Sequence, residues 1–247
     1  MTTRIALITG ANKGIGFETA RILGAGGITV LLGARSAERG ERAAATLEAA
    51  GIDARFVRLD VTDPETVEAA AKLIDAEFGR LDILINNAAI TTTDAADGGR
   101  SCPPSRTAPD LVRTAFETNV FGVVAVTNAM LPLLRRSPAG RIVNVSSGLG
   151  SLTMHSDPSS AVHGVNLLPY NTSKSALNAV TVAYAKELAG TSITVNAATP
   201  GYCATDLNDH AGDRTPQEGA SVIAGVAVLG EDGPTGAFLA EDGRLPW

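Results

Sequence analysis

The chain has 247 residues, 45% hydrophobic and 19% charged, with a formal net charge of −6. This size and balance suit a single globular α/β domain spanning 1–247, and they exclude disordered, collagen-like and disulfide-scaffold classes. The acidic sum argues against nucleic acid and against an anionic membrane surface as partners.

Taken in chain order, short apolar runs alternate with longer helical ones. Ile5 to Thr9 reads as a buried strand, and Thr19 to Leu23 falls in the helix after it. Thr29 to Gly33 is a second strand, followed by an Ala/Glu/Arg-rich helix over Glu38 to Ala50. Ala54 to Leu59 alternates as a strand. Asp63-Pro64 then marks a helix start, with Asp as cap and Pro at the first helical position. Val67, Ala70, Ala71, Ile74 and Phe78 recur on one face of that helix. Ile83 to Ile85, Ile142 to Val145 and Ile193 to Ala197 are further strands. The uncharged stretch Thr118 to Leu134 carries Asn119, Asn128 and Pro132 and predicts a buried helix rather than a membrane span.

Strands alternating with helices predict βαβ units and a parallel sheet with right-handed crossovers and helices on both faces. Residues 91–109 and 151–169 read as long loops, which in a compact domain tend to be functional or mobile. The first apolar run, Ile5 to Ile8, is too short for a signal-peptide core. Cys102 and Cys203 have neither metal-ligand spacing nor a disulfide framework. The expectation is therefore no metal and a reducing, cytoplasmic setting.

Thr9 to Gly16 follows the first strand and opens a helix, with glycines spaced G-x3-G-x-G. Glycine lets the chain turn sharply and lets a pyrophosphate approach the backbone. Free N–H groups and the helix dipole then attract the anion. An ordinary tight turn is the plain alternative, but the strand–turn–helix context favours a dinucleotide. After the second strand stands Gly33-Ala34-Arg35-Ser36, with no carboxylate for a ribose 2′-hydroxyl. Arg35, helped by Lys13, suits a 2′-phosphate instead, unless it is only a solvated charge at a helix start. This predicts NADP(H) as the preferred cofactor, with NAD(H) as the second candidate.

Tyr170 and Lys174 are four residues apart, which on a helix places a phenol beside an ammonium. A free phenol with a pKa of about 10 is a poor base at neutral pH, and a lysine cation favours its ionised form. Alone, such a pair also fits a plain surface helix. Ser146-Ser147, however, ends an apolar strand, at the edge where open α/β sheets bind ligands. A serine nucleophile is not supported, since no G-x-S-x-G elbow is present and His155, His163 and His210 sit in polar, loop-like surroundings.

With these segments in hand, the chain resembles the short-chain dehydrogenase/reductase family along nearly its whole length. The carriers are Thr9 to Gly16, Asp60-Val61, Asn86-Asn87-Ala88-Ala89, Asn119, Ser147, Tyr170-x3-Lys174 and Pro200-Gly201-x3-Thr205. Thr9 to Glu18, Ala34-Arg35 and the ending Gly233 to Gly236 look most like its NADPH-dependent carbonyl reductase branch. The resemblance implies a Rossmann-like, doubly wound parallel sheet and hydride transfer between NADP(H) and a ketone or aldehyde. Tyr170 would be the general acid in reduction and the base in oxidation. Lys174 would lower its pKa and hold the nicotinamide ribose. Ser147 would orient the carbonyl oxygen, and Asn119 would hold a helix kink and a water leading from Lys174. Cofactor contacts would come from Gly10, Asn12, Lys13, Gly14, Ile15, Gly16, Arg35, Asp60, Val61, Asn87, Ala88, Pro200, Gly201 and Thr205, with Tyr170 and Lys174.

Three features depart from the family pattern. Ala89 stands where glycine is usual. Ser147 and Tyr170 are more widely separated than usual, which predicts an added loop or short helix over residues 153–167. Residues 91–109 are long enough to shape the pocket mouth. In the carbonyl reductase branch an insertion before the tyrosine goes with monomers, but this one is shorter, so the chain reads as a monomer or a homo-oligomer. The other readings are an NAD-dependent alcohol dehydrogenase of the same family and a non-enzymatic dinucleotide sensor. Cys203 reads as an apolar filler before a redox switch. Met154, His155 and His163 read as solvated loop before substrate contacts.

Overall fold

Five of the expected strands are mostly apolar and have no exposed position, which a sheet covered on both faces accommodates. In a computed structural model, which describes residues 3–92 and 102–247, they are β1 (Ile5–Thr9), β2 (Thr29–Ala34), β4 (Ile83–Asn86), β5 (Arg141–Val145) and β6 (Thr194–Ala198). In the chain between β2 and β4 comes β3 (Ala54–Arg58), whose exposed Arg55 and Arg58 suit its place at the sheet edge. Side chains alternate between two cores, as the strand period of two requires. Ala6, Ile8, Val30, Leu32, Ile83, Ile85, Val143 and Val145 face one core. Ile5, Leu7, Leu31, Leu84, Ile142 and Val195 face the other.

The first core is covered by α1 (Gly14–Ala25), α2 (Ala37–Ala49) and α8 (Pro216–Ala227), through residues such as Leu23, Leu47 and Ile223. The second is covered by α3 (Pro64–Phe78), α5 (Gly122–Leu134) and α7 (Leu168–Glu187), through Ile74, Met130 and Ala185 among others. The start of α3 is as expected: Asp63 accepts a hydrogen bond from the Glu65 N–H at 3.0 Å, and Pro64 is the first helical residue. α4 (Pro109–Phe116), a π turn at Glu117–Phe121 and α5 form one helical run, Pro109–Leu134. Its 26 residues are long and apolar enough, by length and composition, to cross a membrane. Val126, Met130 and Leu133 nevertheless pack into the second core.

The strand order is β3-β2-β1-β4-β5-β6-β7-β8, parallel apart from the final antiparallel pair. The last two strands, β7 (Phe238–Ala240) and β8 (Gly243–Arg244), are absent from the sequence reading. At three and two residues they are too short to show a period, and they form only by pairing beyond β6. Of the expected 91–109 loop, residues 93–101 lie outside the described residues, and Pro109 already begins α4. The insertion over 151–169 contains the short helix α6 (Leu152–Ser156) and then turns, before α7 begins at Leu168.

This order reverses direction between β1 and β4, so the chains leaving those two strands diverge and open a crevice at their C-terminal ends. A buried polar chain registers the helices over it. Asn86 donates to Thr127 Oγ1 (3.1 Å) on α5 and to Asn144 Oδ1 (2.9 Å) on β5. Asn144 donates in turn to Thr181 Oγ1 (2.9 Å) on α7. Unmade bonds between buried polar groups are costly, so the chain sets how α5 and α7 are rotated on the sheet.

Candidate active site

The glycine loop comes first because it leaves β1 at the crevice. Gly10 and Gly14 have φ of +65° and +59°, a region that disfavours residues with a Cβ. A Cβ on Gly16 would stand 2.5 Å from Asn87 Nδ2 and 2.7 Å from the Gly10 carbonyl oxygen. Asn87 explains this tightness: its Nδ2 donates to the carbonyls of Thr9 (2.8 Å) and Gly10 (3.2 Å). Thr9 Oγ1 accepts from the N–H groups of Asn87 and Ala88, both at 3.0 Å. The loop after β4 thus braces the loop after β1. Ala89 has no positive φ, so its methyl group meets no backbone strain there. Gly16→Ala is expected to push the Gly10 backbone and cost about 1–3 kcal/mol of stability. Thermal melting and dinucleotide titration check this; an unchanged melting temperature with unchanged affinity would contradict it.

The crevice is a cleft of about 850 Å³. All the residues expected to contact a cofactor line it: Gly10, Asn12, Lys13, Gly14, Ile15, Gly16, Arg35, Asp60, Val61, Asn87, Ala88, Tyr170, Lys174, Pro200, Gly201 and Thr205. Arg35 is exposed at the end of β2 and makes no ion pair among the described residues. Lys13 is engaged instead. Its ammonium pairs with Asp206, whose other oxygen lies 2.9 Å from His210 Nε2. Both residues sit on the loop after β6, so the pair spans the cleft.

At the other end of the cleft, β5 delivers Ser146 and Ser147. Ser146 is buried and donates to Asn178 Oδ1 on α7 at 2.6 Å. Ser147 caps the following turn, accepting from the Leu149 N–H at 3.2 Å, and its hydroxyl faces Tyr170 closely enough to pull the phenol's pKa down. Lys174 is one turn along α7 from Tyr170, with 2% of its surface exposed. Its Nζ donates to the Val145 carbonyl at 2.8 Å and lies 5.5 Å from the centre of the Tyr170 ring.

Asn119 is placed behind this wall and does not line the cleft. It sits in the π turn and bonds both backbone groups of Ile90 at 2.9 Å. It also donates to Ser173 Oγ at 3.0 Å, beside Lys174. Thr118, its neighbour, lines the cleft instead. Sequence reasoning also missed Leu149, Leu167, Tyr202, Leu207, Asp206 and His210, all of which line the cleft from loops. No local pattern marks them, because loop side chains have no period.

Burial sets the electrostatics. Desolvation pushes the Tyr170 phenol up to about 12, against the opposing pull of the Ser147 hydrogen bond. It pushes the Lys174 ammonium down to about 7. The expectation from spacing was a phenol lowered by lysine. The two groups are adjacent as expected, but burial favours the neutral form of both, and a lysine that titrates near neutrality exerts a weaker field.

The sign of the stability effect follows. Between pH 7 and about 10.5 the unfolded chain keeps the Lys174 proton while the folded chain has released it, so stability rises with pH. Between pH 10 and about 12 the folded chain retains the Tyr170 proton that the unfolded chain loses, so the trend reverses. Melting temperatures of the parent and Lys174→Met are expected to diverge from pH 7 to 10, the parent gaining. Parallel curves would contradict the burial argument.

The sequence pattern of short chain dehydrogenases matches residues 4–216. A short-chain dehydrogenase of Penicillium roqueforti is 39% identical over 98% of this chain and 95% of its own. Carbonyl reductase [NADPH] 1 of Sus scrofa is 32% identical over 99% and 94%. Among solved structures, an NADPH-bound carbonyl reductase from chicken fatty liver superposes with a TM-score of 0.84 and 26% identity, over the full length of both chains.

Proposed function

The chain belongs to the short chain dehydrogenase family, and on that footing we propose that it reduces a ketone or aldehyde to the alcohol with NADP(H), Tyr170 serving as general acid. One observation carries this reading: the side chains of Ser147 and Tyr170 face each other beside a buried lysine at the cleft end of β5.

The residues present fit the dinucleotide. Gly10, Gly14 and Gly16 form a backbone cradle that side chains would fill or strain, at the N-terminus of α1 where an anion is favoured. No carboxylate stands in Gly33-Ala34-Arg35-Ser36 at the end of β2, and Arg35 is there with its guanidinium available to a 2′-phosphate. When bound, the reduced nicotinamide supplies the hydride to the carbonyl carbon.

The chain's own residues do the rest. Tyr170 is held protonated at neutral pH, the form a proton donor needs, and passes its proton to the oxygen as negative charge develops there. Ser147 donates a hydrogen bond to the same oxygen, sharing that charge. Lys174, titrating at about 7, stands ready to restore the phenol's proton. Asn119 is a positioning residue, tying the Ile90 segment to α7 beside Lys174. We take residues 1–247 as one catalytic domain and place it in the cytoplasm. The test is NADPH oxidation against a panel of aliphatic, aromatic and quinone carbonyls. Carbonyl-dependent oxidation is expected, faster with NADPH than with NADH. NADPH binding with no turnover of any carbonyl would favour a dinucleotide sensor and overturn the proposal.

A further inference from the structure

The strand order separates two ends of the cleft that differ in chemistry. Neighbouring strands are about 4.8 Å apart. Arg35, at the end of β2, is therefore three strands, roughly 14 Å, from Ser147 at the end of β5. A cation at that distance cannot pair with a group held at the reacting carbonyl.

At the Ser147–Tyr170 end, four of the described lining residues present large apolar surface. Leu149 and Leu167 come from the segments beside β5 and α7, and Tyr202 and Leu207 come from the loop after β6. Among the described residues that line the cleft, the cations other than Arg35 have partners. Lys174 donates a hydrogen bond to the Val145 carbonyl, and Lys13 pairs with Asp206. His210 occupies the second oxygen of that carboxylate.

Tyr202 and Leu207 are 56% and 38% exposed. Folding does not bury them, yet their loop is pinned at its base. Arg214 exchanges backbone bonds with Tyr202 (3.1 Å) and Ala204 (2.7 Å), and its guanidinium is 2.6 Å from Glu241. Leu207 and the ring of Tyr202 are thereby held exposed at the cleft wall, and an apolar ligand would gain by covering them.

We propose that the substrate is a neutral ketone with a hydrocarbon body, seated between Leu149 and Leu167 on one side and Tyr202 and Leu207 on the other, and that carbonyl compounds bearing a carboxylate or phosphate are rejected. This rests on the carbonyl-reducing function proposed above. The test uses a matched pair: cyclohexanone with a methyl group para to the carbonyl, and the same ring with a carboxylate there. kcat/KM with NADPH is expected to favour the neutral ketone by about 10²-fold, the penalty for leaving a charge unpaired in an apolar site. Leu207→Arg, at an exposed position, is expected to narrow that ratio at least about ten-fold by supplying the missing cation. Equal turnover of the pair, or preference for the acid, overturns the proposal and leaves carbonyl reduction standing. Binding separates the two claims further. Tyr170→Phe loaded with NADPH is expected to bind the neutral ketone in preference to the acid by equilibrium dialysis. That preference without turnover in the parent would fail the mechanism and keep the substrate class; its absence fails the substrate class.

Discussion

Tyr170→Phe is expected to bind NADPH as the parent does and to turn over carbonyl substrates about 10²–10⁴-fold more slowly, the range for losing a general acid. The substitution removes one oxygen and keeps the ring. The phenol is half-buried and faces Ser147, whose hydroxyl keeps its bond from the Leu149 N–H when the phenol oxygen is lost. Lys174 keeps its bond to the Val145 carbonyl, which comes from β5 and not from Tyr170. The cleft therefore keeps its shape, and the effect falls on kcat. Fluorescence titration of NADPH beside steady-state kinetics separates affinity from chemistry. A variant with more than half of the parent kcat would show that another group protonates the product oxygen.

Arg35→Ala is expected to weaken NADPH binding by about ten-fold or more while leaving NADH unchanged, since hydrogen bonds to charged groups contribute more than neutral ones. Arg35 is exposed, and among the described residues no carboxylate competes for it. Lys13 contributes less than its position in the glycine loop suggests, because Asp206 already balances its charge. The 2′-phosphate preference therefore concentrates on Arg35. Arg35→Asp, which puts a carboxylate where NAD-binding folds hold the ribose 2′-hydroxyl, is expected to reverse the preference. Dissociation constants for NADPH and NADH in the three proteins check this. A parent that prefers NADH, or an Arg35→Ala variant with the parent's NADPH affinity, would remove Arg35 from cofactor choice.

The acidic residue that engages Lys13 lies 193 positions away in sequence, on the loop after β6. Nothing near Lys13 announces it. The direction of the Tyr170 shift was equally hidden. Spacing shows that phenol and ammonium share a helix face, but it says nothing of the water each retains. Burying both groups reverses the expected shift. Asn119 shows the same limit: its side chain bonds Ile90 and Ser173 behind the cleft wall, a position set by the packing of three separate segments.

What the sequence determined by itself was every feature carried by local spacing. The apolar runs specified the central strands, the glycines specified a sharp turn into α1, and the interval between Tyr170 and Lys174 put both on one face of α7. These follow from backbone geometry within a few residues. The tertiary structure alone decided which strand ends meet, where β7 and β8 pair, which loop side chains line the cleft, and how little water reaches Lys174. Those depend on contacts between distant segments and on the solvent they exclude, and neither leaves a periodic trace along the chain.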